Sequence, residues 1–126
     1  MQALCVSRMN EYLIGIEYHE PENWKLWQQG EIEDYESSIG LFVLANSCDE
    51  AISWAEKVGE KLLRFVNSDL LLNYSELGYS CWHEPSLEES GWSHCVSYFQ
   101  HVTVGEMPTL ERMTTKAYEE WQLKNT

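Results

Sequence analysis

Positive charge is what this sequence has least of. Its 8 Lys and Arg stand against 21 Asp and Glu, a formal net charge of −13. A protein that grips a phosphate backbone must present clustered cations, and so must one that lies on an anionic membrane. The deficit argues against both partners. Long apolar runs are also missing. Ile39–Ala45 falls far short of the roughly 18 residues of a membrane helix. The first residues, Met1 to Glu11, lack a basic segment leading into an apolar one, so they do not read as a secretory signal. The expected compartment is therefore cytoplasmic. Met9 reads as a second start, with residues 1–8 a loose extension ahead of the first strand.

Other absences narrow the chemistry. There is no Walker loop, no GxGxxG and no HExxH, so phosphate cradling and helix-borne zinc proteolysis have no motif here. The four cysteines, Cys5, Cys48, Cys81 and Cys95, permit two disulfides by count. A chain with no export signal and enough apolar content for a core does not need them, so free thiols are expected.

What is present suits one compact domain. The 126 residues match the usual size, and 44% hydrophobic content is ordinary for a folded protein. Tyr12 to His19 alternates Tyr12, Ile14, Ile16 and Tyr18 against Leu13, Gly15, Glu17 and His19, a strand pattern. Glu20 to Ser38 is polar, acidic and aromatic, and reads as a long loop. Ser38 to Ala45 is an apolar run that suits a central, well-covered strand. Ser47-Cys-Asp-Glu50 has the form of a capping box. Ala51, Ala55, Val58, Leu62 and Phe65 then recur at helical spacing, which predicts a helix from Cys48 to about Asn67.

Gly78 to His83 looks like a strand, and Trp92 to Val104 alternates as a longer one, so the two form a predicted hairpin. Pro108 marks the start of a last helix with the stripe Leu110, Met113, Ala117 and Trp121. The expected fold is α+β: a single two-layer domain over 1–126, in the order β-β-α-β-β-α. It would have an antiparallel four-stranded sheet with two helices on one face.

The acids are not spread evenly. No Lys or Arg lies between Lys25 and Lys57, or between Arg64 and Arg112. Lys57, Lys61 and Arg64 share one face of the first helix, and Arg112, Lys116 and Lys124 sit on or near the last. If the helices cover one face of the sheet, the opposite side should be acidic. Acidity alone serves solubility. Here tryptophans and tyrosines interleave with it. Trp24, Trp27 and Tyr35 flank Glu31, Glu33, Asp34 and Glu36, while Trp82 and Trp92 flank Glu84, Glu88 and Glu89. Aromatic anchors with carboxylates beside them suit a partner rich in Arg and Lys. Trp54 and Trp121 lie on helical apolar stripes and are expected in the core.

The sequence holds three catalytic or metal patterns. Cys81-x-His83 and His94-Cys95 could meet across a hairpin to hold zinc, but the spacing fits no standard site and strand alternation separates His94 from Cys95. No metal and no cofactor is therefore expected. A Cys81 or Cys95 nucleophile with His83, His94 or His101 as base finds nothing in the sequence to activate the thiol. Glu17, Glu84 or Glu89 could serve as paired carboxylates, yet no spacing selects two of them.

The reading favoured by the sequence is a small acidic binding protein, not an enzyme, that inhibits a basic, nucleic-acid-acting protein without touching nucleic acid itself. An immunity-type protein capping a nuclease toxin fits this, as does a phage-type antagonist whose carboxylates mimic phosphates. The expected partner-binding residues are Trp24, Trp27, Glu31, Glu33, Asp34 and Glu36, with Glu84, Glu88, Glu89 and Trp92 as a second patch. A homodimer is compatible with this reading. The alternative is a small-ligand-binding protein or an enzyme using the Cys- and His-bearing stretch 81–101.

Overall fold

A computed structural model describes residues 9–18, 37–66 and 79–125. Residues 1–8, and with them the expected extension, lie outside the described residues.

Strand β1, Asn10–Tyr18, and strand β2, Ser37–Ala45, pair antiparallel along their whole length, with Ile14 opposite Leu41 and Gly15 opposite Gly40. Their even and odd residues, respectively, form one front face: Ile14, Ile16, Tyr18, Ile39, Leu41, Val43 and Ala45 are all buried there. The alternation read from the sequence is thus the alternation of the two sides of the sheet.

Helix α1, Cys48–Val66, follows β2 and covers this front face with Ala51, Ala55, Val58, Gly59, Leu62 and Leu63. Its start is a capping box, with the Glu50 amide donating to Ser47 Oγ at 3.1 Å. The Glu50 carboxylate reaches one residue further back than the usual box and accepts from the Asn46 amide at 3.1 Å. Burying the Val58, Leu62 and Leu63 side chains stabilises the layer by about 1.5–3 kcal/mol each.

Strand β3, Tyr79–His83, pairs antiparallel with the outer side of β1, and strand β4, Gln100–Thr103, pairs parallel with β2. The sheet order is β3-β1-β2-β4 and the sheet is mixed. This corrects the expected antiparallel sheet. It also removes the expected hairpin, because β3 and β4 occupy opposite edges. The chain between them, with the short helix α2, Leu87–Ser90, crosses the back of the sheet. Trp92 to Phe99 is therefore not strand: Cys95 and Tyr98 amides close turns onto Trp92 and Cys95 carbonyls, and Val96–Tyr98 is a 3₁₀ turn.

Two glycines make this crossing close. A Cβ on Gly15 would sit 2.3 Å from the Trp82 ring, and one on Gly40 would sit 2.3 Å from the Phe99 ring. The paired glycines leave a flat notch across the two central strands, and the aromatic rings fill it.

After β4 the chain returns to the front side. The Trp54 indole donates to the Glu106 carbonyl at 2.9 Å, and the buried Tyr18 hydroxyl donates to the Met113 carbonyl at 3.0 Å. The expected last helix is split. Leu110–Met113 is a 3₁₀ turn, Thr114 is extended, and helix α3 runs over Thr115–Lys124. Thr114 causes the break: its hydroxyl donates to Glu111 O at 2.8 Å and accepts from the Ala117 amide at 3.3 Å. Tyr118 and Trp121 of α3 pack on Tyr98, with ring centroids 5.4 and 5.1 Å away. Among the described residues only α1 spreads over the strands, so the expected pair of helices on one face becomes one helix on the sheet and one at its border. Among the described residues no helix is long and apolar enough to cross a membrane.

Candidate functional site

Two surfaces draw on the residues singled out in the sequence, and the back crossing between β3 and β4 builds both. The first is the acidic corner after β3. Ser86 caps α2 by accepting from the Glu89 amide, and Gly91 ends it in a left-handed turn. This places Glu88 and Glu89 on an exposed turn, while Glu84 is half-buried. The Glu84 carboxylate accepts from the Trp82 indole at 3.2 Å. Trp82 and Trp92 lie 6.0 Å apart, and Trp92 meets Phe99 edge-on at 5.2 Å. Both tryptophans are half-buried. Trp82 fills the glycine notch together with Phe99, Trp92 packs against both of those rings, and each tryptophan presents only part of its ring to solvent.

Charge is polarised around this corner. Among the described residues every Lys and Arg belongs to α1, the 110–113 turn or α3. The strands, the crossing and the turn after β4 carry Glu11, Glu17, Glu84, Glu88, Glu89 and Glu106 with no basic counterpart except histidine. On the back face, His101 pairs with Glu11 at 2.8 Å and stacks on Phe42 at 4.5 Å. The larger acidic group, Glu31, Glu33, Asp34 and Glu36 with Trp24 and Trp27, lies outside the described residues.

The second surface is a cleft of about 480 Å³ beside the start of β2. β4 pairs only with Leu41–Leu44, so the Ser38–Ile39 end of β2 has no strand beside it from β4. The 90–99 crossing and α3 form the walls there instead. Trp92, His94, Cys95 and Phe99 come from the crossing, and Tyr118, Glu119 and Gln122 come from α3. The Gln122 side-chain amide donates to the Tyr118 hydroxyl at 3.0 Å. Burial, and then the neighbouring Cys95 thiol, push the Tyr118 phenol up to about 12, so it stays protonated at neutral pH.

The cysteine and histidine pattern does not assemble. Cys81 and His83 sit opposite Ile16 and Ile14 on the front face at the β3 edge. His94 and Cys95 line the cleft beside β2. Among the described residues no three His, Cys, Asp or Glu side chains group to hold a metal ion. Burial, with Glu56 adding to it, pushes the Cys81 thiol up to about 12, which leaves it a poor nucleophile.

Tyr118, Glu119 and Gln122 were not singled out from the sequence. Their spacing with Thr115 is that of one helical stripe, so the signal was present. Reading the helix from Pro108 masks it, because that start selects the stripe Leu110, Met113, Ala117 and Trp121, of which Met113 alone lines the cleft. Searches against protein-family models, curated proteins and solved structures found no match to this chain.

Proposed function

We propose that this chain is a small acidic binding protein that neutralises a basic, nucleic-acid-acting protein, with no catalytic step of its own. One observation carries the reading: the described Lys and Arg are confined to α1, the 110–113 turn and α3, while the first part of the β3–β4 crossing carries Glu84, Glu88 and Glu89 with no Lys or Arg among them. An acidic surface of this kind speeds encounter with a cationic partner and rejects anionic competitors. Exposed Glu88 and Glu89 form the described part of the contact, with Glu84 and the partly open Trp92 ring beside them. Glu31, Glu33, Asp34 and Glu36, with Trp24 and Trp27 as anchors, belong to the proposal on sequence grounds. A nuclease toxin bound by an immunity-type protein and a nucleic-acid-binding protein blocked by a phosphate mimic are the two settings that match this chemistry, and the cytoplasm is the proposed compartment.

The test starts from proteins captured from lysate at low salt. It compares the parent chain with two neutralised variants, Glu84→Gln/Glu88→Gln/Glu89→Gln and Glu31→Gln/Glu33→Gln/Asp34→Asn/Glu36→Gln. A captured basic protein should lose nucleic-acid binding or cleavage when the parent chain is added. Its association should slow in either variant and weaken as salt shortens the screening length to below about 10 Å. Equal association by parent and both variants sinks the reading.

A further inference from the structure

The cleft between the crossing and α3 shares only Trp92 with that reading. We propose that it is a binding site for a small organic cation, an ammonium or guanidinium group on an apolar body. Its volume, about 480 Å³, lies in the range of small-molecule sites. Trp92, Phe99 and Tyr118 supply aromatic wall, and such rings attract a cation through their negative faces. Among the described residues lining the cleft, Glu119 is the one carboxylate and there is no Lys or Arg. His94 and Gln122 add hydrogen-bonding groups at the same walls.

The stripe that faces the cleft explains why these groups converge. Tyr118, Glu119 and Gln122 recur on one side of α3, and the helix is fixed at its start by the Thr114 cap. The start of a helix favours anions. Here the Ala117 amide is already taken by Thr114 Oγ, and Glu119 sets a full negative charge one turn on. The balance therefore selects a cation. A smaller depression, of about 340 Å³ between the end of α1 and α3, lacks this selectivity because Lys116 lines it together with Glu111 and Glu120.

The cation can be a free amine or the side chain of an arginine in a peptide, and the test separates them. Phenethylamine and N-acetyl-arginine amide are titrated into the full chain by calorimetry and amide NMR, beside 3-phenylpropionate as the anion of like shape. At least one cation should saturate, with shifts confined to residues 90–99 and α3. Binding of phenethylamine alone assigns a free amine, and binding of the arginine amide assigns a peptide source. Glu119→Gln should weaken the bound cation by about tenfold or more, the weight of a charge-assisted hydrogen bond. Because Glu119 is exposed on α3, that variant keeps its fold, which circular dichroism verifies. No saturation by either cation up to about 10 mM, equal binding of the anion, or unchanged affinity in Glu119→Gln overturns the proposal. The Glu84, Glu88 and Glu89 neutralised variant should still bind the cation, so failure of the protein-partner reading leaves this result standing, and the converse holds too.

Discussion

Replacing Gly40 by alanine should destabilise the protein by about 2 kcal/mol, and the reason lies in one ring. The added Cβ would stand 2.3, 2.6 and 3.0 Å from three atoms of the Phe99 ring. Alanine in a strand is normally the better residue by about 0.4–1 kcal/mol, because it narrows the unfolded ensemble. Overpacking a filled site costs about 1–3 kcal/mol. The second term wins here because Phe99 cannot step aside. Its ring is only 5% exposed, and Trp92 meets it edge-on at 5.2 Å. At Gly15 the opposing ring is Trp82, half-buried and free to slide toward solvent at the expense of its 3.2 Å bond to Glu84. Gly15→Ala should therefore cost less, about 1 kcal/mol.

Urea unfolding of both single variants measures this order. A cycle with Phe99→Ala measures its cause. Phe99→Ala alone should cost about 3–5 kcal/mol. In the double variant Gly40→Ala/Phe99→Ala the clash is gone, so the total should fall short of the sum by about 2 kcal/mol. A neutral Gly40→Ala, or costs that simply add, would refute the notch as the device that seats the crossing on the sheet.

Three further outcomes are expected. Tyr18→Phe removes a buried hydroxyl and leaves the Met113 carbonyl without that donor, so urea unfolding should show a loss of about 1–2 kcal/mol. Ser47→Ala takes away the acceptor for the Glu50 amide at the start of α1 and should cost about 1 kcal/mol, with Ser47→Asp restoring most of it. Cys81 has its thiol raised from 9.0 to about 12. The folded state then holds the proton more tightly than the unfolded one, so the contribution is complete below pH 9 and is lost as pH rises toward 12. Iodoacetamide at pH 8.5 should label Cys81 only slowly until urea unfolds the chain, and rapid labelling of the native protein would contradict its burial.

The local elements were legible because local physics sets them. Period-two alternation at Tyr12–Tyr18 became the two sides of β1, and the Ser47–Glu50 signature became the start of α1. The stretch Trp92–Val104 alternates as well, yet only Gln100–Thr103 is strand. Alternation is a pattern of residue types, and here it does not become a pattern of burial: the turns of the crossing bury Cys95, Tyr98 and Phe99, which belong to both alternating sets. The split at Thr114 was equally hidden, since its hydroxyl serves the Glu111 carbonyl and the Ala117 amide at once and either bond alone fits a continuous helix start.

What the sequence alone determined is therefore the chemistry carried by each stretch: most of the basic share on the helical segments, a stretch between Arg64 and Arg112 that holds acids and no Lys or Arg, and an amphipathic helix after the second strand. What only the tertiary structure decided is which stretches meet. β3 and β4 go to opposite edges because α1 occupies the front face and the paired glycines leave room for a crossing on the back. That placement parts Cys81 and His83 from His94 and Cys95, and it brings Trp92 to the same cleft as Tyr118 and Glu119. Contacts between residues so far apart in the chain depend on the shape of facing surfaces, and no local pattern encodes that shape.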